Sequence, residues 1–373
     1  MRAVVLRQFG TLVKVEEVPE PVMGTGEVIV DVVAAAVQSY AGEVLSGERQ
    51  HMLGLPMVPG GGAIGRVRDV GPDATRLQPG DWVYCDPTVR SRDEPINPDI
   101  TLQGISARGA GGMKLQAHFH DGSWAEQMRV PTENAVPIGT ISADDANKWL
   151  LLGSYLVPYG GLSAAGVKPG EVVLISGATG NFGCAAVAVA LAMGAGCVIA
   201  AGRNESSLAE ISKRFGARVR TVAMTGNEQT DTAAMLGIAP VPIDCVFDIL
   251  PPHALAVQAR AAIMTVRPYG RVVLMGGINM LGGPGLELPY SWIMRNCVTI
   301  HGVWMYPQTA PHELVRMIRT GLLSIDQADI TTFALDEVAQ AVSHAARHAG
   351  PFERTVLAPS STHPAPAVLT AAA

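Results

Sequence analysis

Residues 172–195 read VVLISGATGNFGCAAVAVALAMGA: a β-type run, a glycine-punctuated turn, then small apolar residues over helical length. The glycines fall at Gly177, Gly180 and Gly183, a G-x-x-G-x-x-G spacing that is a variant of the G-x-G-x-x-G dinucleotide loop. Glycines there let the chain leave the strand sharply, let the backbone approach a pyrophosphate, and let helix and sheet pack closely. The helix N-terminus adds free N–H groups and the positive end of a dipole. Gly177, Thr179, Gly180, Asn181, Phe182 and Gly183 are therefore candidate cofactor-binding residues. A glycine turn alone is compatible with a plain βα connection, but this one sits in a repeated pattern. VVLIS, CVIAA, DCVFDI and RVVLMGG are continuous apolar runs, as expected of strands buried on both faces of a parallel sheet. Helix-length segments at 181–193 and 206–215 lie between them. The fold class is α/β, with a Rossmann-type parallel sheet.

The strand after the loop ends in Ala200-Ala201-Gly202-Arg203-Asn204, where an acid would grip the ribose 2′-hydroxyl of NAD. No acid stands there. Gly202 makes room, and Arg203 and Asn204 offer charge-assisted and neutral donors for a 2′-phosphate. The cofactor expected is NADP(H) rather than NAD(H); the plainer reading of Arg203 is a solvated surface cation.

Outward from this core, the N-terminal half reads as β. VKVEEVPEP, EVIVDVVAAAV, AIGRVRDVG and DWVYCDP carry β-branched alternation between turns, and WAEQMRVP resumes it. Residues 86–117 lose periodicity amid Pro, Gly, Arg and Asp, and read as a long loop or excursion. Helices are expected at 313–320 and 336–347. The C-terminal tail, 359–373, offers no core face and is expected to be poorly ordered.

The chain has 373 residues, a formal charge of −6 and only 16% charged residues, too apolar for disorder and without the basic stripe that nucleic acid requires. Five scattered cysteines with no CxxC suit a reducing compartment, and a cytoplasmic location is expected. Residues 182–201 are uncharged and long enough to span a membrane, but glycines and a change of period favour a helix followed by a strand. No membrane association is expected.

With these residues in hand, the chain resembles the medium-chain dehydrogenase/reductase superfamily over residues 1–358. The match rests on the order MRAVVL, PEP, GEVIVDVVAAAV, PMVPGGGAIGRV, VGPDATRLQPGDWV, GSWAEQMRVP, the glycine loop, GRVVLMGG and ERTVL. The resemblance implies an irregular GroES-like β-barrel catalytic domain at 1–150, completed by 298–358. It also implies a Rossmann domain at 151–297, an active site in the cleft between domains, and a homodimer formed around GRVVLMGGINMLGGPGLELP. It further implies that Tyr159, Gly276, Gly277, Ile278, Val303, Trp304 and Arg354 lie near the cofactor; Tyr155 and Tyr159 read equally well as core packing.

Zinc-dependent members of this family carry Cys where this chain has Gln38, and His-Glu where it has Gly60-Gly61-Gly62; the third ligand maps near Gly153-Ser154. Residues 86–117 lack the four cysteines of the structural zinc lobe. None of these is a zinc-ligating residue type, so no metal site is expected. His118 and His120, flanking Phe119, have no evident third ligand and read as surface histidines. Asp81 reads as a turn residue and His51 as an exposed loop residue.

Without a Lewis acid, charge developing on a carbonyl oxygen must meet a protein donor or be delocalised by the substrate. The chain therefore resembles the zinc-independent quinone oxidoreductase and enoyl reductase branch, acting on a conjugated small-molecule acceptor. That branch commonly has Asn followed by Asp where this chain reads Gln38-Ser39-Tyr40. Tyr40 and Gln38 are the candidates for polarising the oxygen, with Tyr40 also a candidate proton donor or else a packing residue. A metal-free alcohol/ketone dehydrogenase and a non-catalytic NADPH-binding protein are the alternatives.

Overall fold

The run Glu27–Val37, EVIVDVVAAAV, forms the longest strand of the computed structural model, which describes residues 1–94 and 96–359. Its alternating Val28, Val30 and Val32 enter an apolar core with Ala63, Val83, Trp124 and Met128. It pairs antiparallel with Ala63–Val70, Gln127–Pro131 and Glu353–Ala358. Two register shifts opposite Ala63–Val70 bend this strand, as bulges do. Trp82–Cys85 and Ala135–Pro137 extend one flank and Asp329–Ala334 the other, giving a seven-stranded sheet.

Residues 86–117 are not a structureless loop. Thr88–Arg90, Ile100–Leu102 and Ser106–Ala107 make a small antiparallel sheet, and Gly109–His118 is a helix. Strands this short show no period, and Gly109, Gly111 and Gly112 dilute the helical signal. The helix is pinned by buried Gln116, which accepts from the Gly54 N–H at 2.9 Å and donates to the Gly54 carbonyl at 3.2 Å.

The described residues divide into two compact units: residues 1–150, 330–347 and 355–359, and residues 151–329 with 348–354. The second unit is built on six parallel strands in the spatial order Val219–Ala223, Cys197–Gly202, Val172–Ser176, Ile243–Asp248, Val266–Leu274, Thr299–Gly302. Every residue of Val172–Ser176 is buried, which explains its unbroken apolar run.

The expected return to the barrel domain at 298 does not occur. Thr299–Gly302 adds an edge strand to the parallel sheet, and the helix Ala310–Arg319 packs on Leu151–Ala164 of the same unit. Being an edge, Thr299–Gly302 is exposed at both ends and only half-buried between them, and lacks the apolar signature of its neighbours. The expected tail lies outside the described residues from 360 onward.

Candidate functional site

In the parallel-sheet unit, the glycine loop leaves Val172–Ser176 at Gly177, whose φ of +90° lies in the left-handed region. The Gly177 and Ala178 N–H groups both donate to the Ala201 carbonyl, at 3.1 and 3.0 Å, fixing the loop to the neighbouring strand. Gly180 then opens the helix Asn181–Ala192 with no side chain capping it, so first-turn N–H groups are open to an external acceptor. A Cβ on Gly183 would sit 2.0 Å from the Gly177 carbonyl oxygen, so helix and loop touch backbone to backbone. Phe182 and Thr179 are half-buried, and the Asn181 Oδ1 is buried without a partner among the described residues. At the tip of Cys197–Gly202, Gly202 rests against the Thr179 side chain.

Arg203 is exposed and joins no ion pair among the described residues. Asn204 caps the helix Glu205–Phe215, its Oδ1 accepting from the Ser207 N–H at 3.0 Å and the Ser206 hydroxyl at 2.7 Å. Only its amide NH₂ group is left to donate.

Arg354 carries the most informative electrostatics of the unit. Among the described residues its Nε is buried without a partner, and its Nη1 donates to the Pro351 and Glu353 carbonyls. The nearby acids are used elsewhere: Asp329 pairs with Arg214 at 2.8 Å, and Glu353 accepts from the Gly350 N–H. Burial pulls the Arg354 pKa down, but a guanidinium stays protonated. It lines a small pocket with Tyr155, Cys184, Phe215, Gln327 and Phe352. Cys184 follows Gly183 directly, and burial raises its thiol to about 12. Among the described residues no carboxylate pairs with this cation, which lies beside Cys184, Ala185 and Ala188 on the flank of the glycine-loop helix.

Tyr155 is buried, its hydroxyl donating to the Ser324 carbonyl at 2.6 Å. Tyr159 donates to Glu313 at 2.6 Å, which ties it to the helix Ala310–Arg319. Gly276 and Gly277 follow Val266–Leu274 and pack on Asp248 and Pro252, with Ile278 against the sheet core. The Val303 N–H bonds the Leu274 carbonyl at 3.2 Å, and Trp304 is exposed.

Sequence reasoning missed Asp248. It is 3% exposed, its Oδ1 has no partner among the described residues, and burial lifts its carboxyl to about 7. The available signal was an acid ending the otherwise apolar strand DCVFDI.

In the antiparallel unit, Tyr40 precedes the helix Ala41–Ser46. Its half-buried ring lies 4.4 Å beneath the Arg49 guanidinium, which pairs with Glu43 at 2.7 Å. Burial pushes the Tyr40 hydroxyl pKa up, and Glu43 adds to this while Arg49 opposes it. Gln38 is half-buried two residues earlier, its carbonyl accepting the Ala41 N–H at 2.9 Å. Asp81 accepts from the Gln78 N–H at 2.9 Å, as a turn residue does. His51 Nδ1 lies 3.1 Å from the Ile105 carbonyl. His118 and His120 turn to different acids, Glu27 at 2.5 Å and Asp121 at 2.7 Å.

Gly60, Gly61 and Gly62 offer no side chain to ligate a metal ion. A side chain on Gly60 would strike Trp124 Cδ1 at 2.3 Å, on Gly61 Ile105 Cδ1 at 2.5 Å, and on Gly62 the Tyr84 hydroxyl at 2.7 Å. Among the described residues no three His, Cys, Asp or Glu side chains are grouped to hold a metal ion.

A glycine-looped parallel sheet in 3-2-1-4-5-6 order, accompanied by an antiparallel unit, is the fold class of two-unit dehydrogenases. Comparison with known proteins agrees. Residues 24–140 match the family described as Alcohol dehydrogenase GroES-like domain, and residues 182–320 the one described as Zinc-binding dehydrogenase. The chain is 31% identical over 228 residues to an alcohol dehydrogenase of Geobacillus stearothermophilus, covering 58% of this chain and 62% of that one. It is 31% identical over 201 residues to an acryloyl-coenzyme A reductase of Metallosphaera sedula, covering 52% and 57% respectively. The matched segments thus span less than two thirds of either relative. A zinc-binding dehydrogenase of Sinorhizobium meliloti 1021 bound to NADP shares the fold at a TM-score of 0.77, with 21% identity and coverage of 96% and 99%. The chain belongs to the medium-chain dehydrogenase/reductase superfamily. Among the described residues, no helix is long and apolar enough to cross a membrane.

Proposed function

We propose that this protein is a zinc-independent, NADPH-dependent oxidoreductase that reduces a conjugated acceptor, a quinone or an α,β-unsaturated carbonyl compound. The observation that carries this reading is a contrast. The dinucleotide loop is intact, while Tyr84, Ile105 and Trp124 fill the space that side chains at 60–62 would need. Likeness to an acryloyl-coenzyme A reductase supports it, since an acryloyl thioester is itself α,β-unsaturated.

The residues of the parallel-sheet unit fit a dinucleotide. First-turn N–H groups at 181–183 and the Arg354 guanidinium would receive the pyrophosphate, Arg203 and the Asn204 amide the 2′-phosphate, and Gly276 to Ile278 the nicotinamide ribose. Tyr159, Val303 and Trp304 would flank the nicotinamide side. When bound, the cofactor supplies a hydride from its reduced nicotinamide. Arg203→Ala is expected to weaken NADPH binding about tenfold, the scale of one charge-assisted hydrogen bond at the surface, and to leave NADH unchanged. Equal affinity of the wild type for both cofactors would overturn the NADP assignment.

A conjugated acceptor spreads the incoming charge, and the protein need only hold its oxygen. A neutral Tyr40 hydroxyl, kept from ionising by burial, and the Gln38 amide are the donors assigned to that oxygen. The raised pKa makes Tyr40 a better hydrogen-bond donor than proton source. Tyr40→Phe is expected to lower kcat about a hundredfold, the usual cost of one oxyanion donor, with KM little changed. An unchanged kcat removes Tyr40 from catalysis.

The deciding assay follows NADPH oxidation with simple quinones and enones before and after exhaustive chelation. Turnover that survives chelation supports the reading; turnover abolished by chelation and restored by zinc overturns it. Likeness to alcohol dehydrogenases favours a second reading, a metal-free alcohol/ketone dehydrogenase, distinguished by NADP⁺ reduction with alcohols alone. A homodimer joined along the edge of Thr299–Gly302, which is unpaired among the described residues, fits the way bare sheet edges are covered. A monomer in sedimentation at micromolar concentration would defeat it.

A further inference from the structure

Three strand ends meet at Asp248. Its register partners are Ser176, the residue before the glycine loop, and Leu274, two residues before Gly276. Its backbone carbonyl accepts the Met275 N–H at 3.0 Å, and the Ile249 N–H bonds the Ser176 carbonyl at 3.1 Å. Its carboxylate fills the space a side chain on Gly276 would need, with Oδ2 2.5 Å from that Cβ position. This is the physical reason for glycine at 276. The other oxygen, Oδ1, is buried and accepts nothing among the described residues.

Among the described residues no charged group shifts the titration of this carboxyl. From Val172–Ser176 comes the Ser176 hydroxyl, from the loop after its own strand the Leu250 N–H, and from beyond Val266–Leu274 the Gly276 backbone. The Ser176 hydroxyl and Leu250 N–H pull its pKa down, but burial outweighs them and holds it near 7. An ionised carboxylate here has no counter-charge, so the neutral form suits the junction.

We propose that Asp248 is a positioning residue of the dinucleotide site, joining the strand ends that carry Gly177 and Gly276 and taking up a proton when the dinucleotide binds. This rests on the cofactor reading above. Phosphates seated on the glycine loop, which begins one residue beyond Ser176, repel an ionised Asp248. Binding therefore favours the protonated form, and affinity falls as pH rises through the free-protein pKa.

The test measures NADH and NADPH affinity by fluorescence titration from pH 6 to 9, for the wild type and Asp248→Asn. At pH 6 the two proteins should bind alike. Above pH 7 the wild type should weaken by up to about tenfold per pH unit relative to Asp248→Asn, the limit for one linked proton. NADH removes the titration of the 2′-phosphate. Should the variant fold poorly, calorimetry of wild type with NADH in two buffers of different ionisation enthalpy at pH 7.5 reads the same proton directly, and zero uptake overturns the proposal. Identical pH profiles overturn it while leaving the cofactor reading intact. A wild type that binds neither dinucleotide at any pH overturns both.

Discussion

Gly183→Ala is expected to weaken NADPH binding more than a hundredfold and to lower the melting temperature. The added Cβ would lie 2.0 Å from the Gly177 carbonyl oxygen, 2.6 Å from its carbon and 2.8 Å from Ala178 Cα. All three are backbone atoms, so no flexible side chain can yield. The loop cannot retreat cheaply either, because its Gly177 and Ala178 N–H groups are tied to the Ala201 carbonyl. The helix start must therefore lift, at about 1–3 kcal/mol of overpacking strain. For a unit of this size that is a drop of roughly 2–4 °C per kcal/mol.

Lifting the helix also moves its first-turn N–H groups away from the loop, and affinity falls further than stability. Gly237→Ala is the control. Gly237 is exposed within the helix Glu228–Ile238 and nothing lies within 4 Å of its Cβ position. Alanine there should stabilise by up to about 1 kcal/mol through helix propensity and leave binding untouched. Fluorescence titration and differential scanning calorimetry read both effects. Gly183→Ala binding within threefold of wild type would remove the close contact from the account.

What the sequence shows of this site depends on whether a property is local. The glycine loop is legible because its strand, turn and helix are contiguous, and parallel strands buried on both faces announce themselves as apolar runs. Thr299–Gly302 belongs to the same sheet but is half-exposed at its edge, and the expected boundary at 298 falls in the wrong place for that reason. The segment 86–117 hides its secondary structure because two- and three-residue strands have no period. His118 and His120, adjacent in sequence to one aromatic ring, are separated by their acids. Asp248 and Arg354 are visible as residue types, but their chemistry is an absence of partners. That absence emerges only when Arg214 takes Asp329 and when three strand ends close around Asp248.

Arg354→Met is expected to separate binding from stability. Isolated buried charges cost free energy that packing does not return, and among the described residues no carboxylate pairs with Arg354. Its hydrogen bonds go to two backbone carbonyls, Pro351 and Glu353, while Nε goes unmet. Methionine keeps the length and apolar stem of the side chain beside Tyr155, Cys184 and Phe352 and removes the charge. The variant should therefore melt at or above the wild-type temperature. On the proposed cofactor reading, the pyrophosphate would lose a charge-assisted contact worth about 1.5–3 kcal/mol, so dissociation constants for NADPH and NADH should both rise about 10- to 150-fold. Because the pyrophosphate is common to the two cofactors, their ratio should not move, whereas Arg203→Ala shifts that ratio. Arg354→Lys, which keeps the charge but loses the planar fork, should recover part of the affinity. If Arg354→Met instead melts well below wild type with its dinucleotide affinity intact, the guanidinium is structural and the phosphate site lies on the helix N-terminus alone.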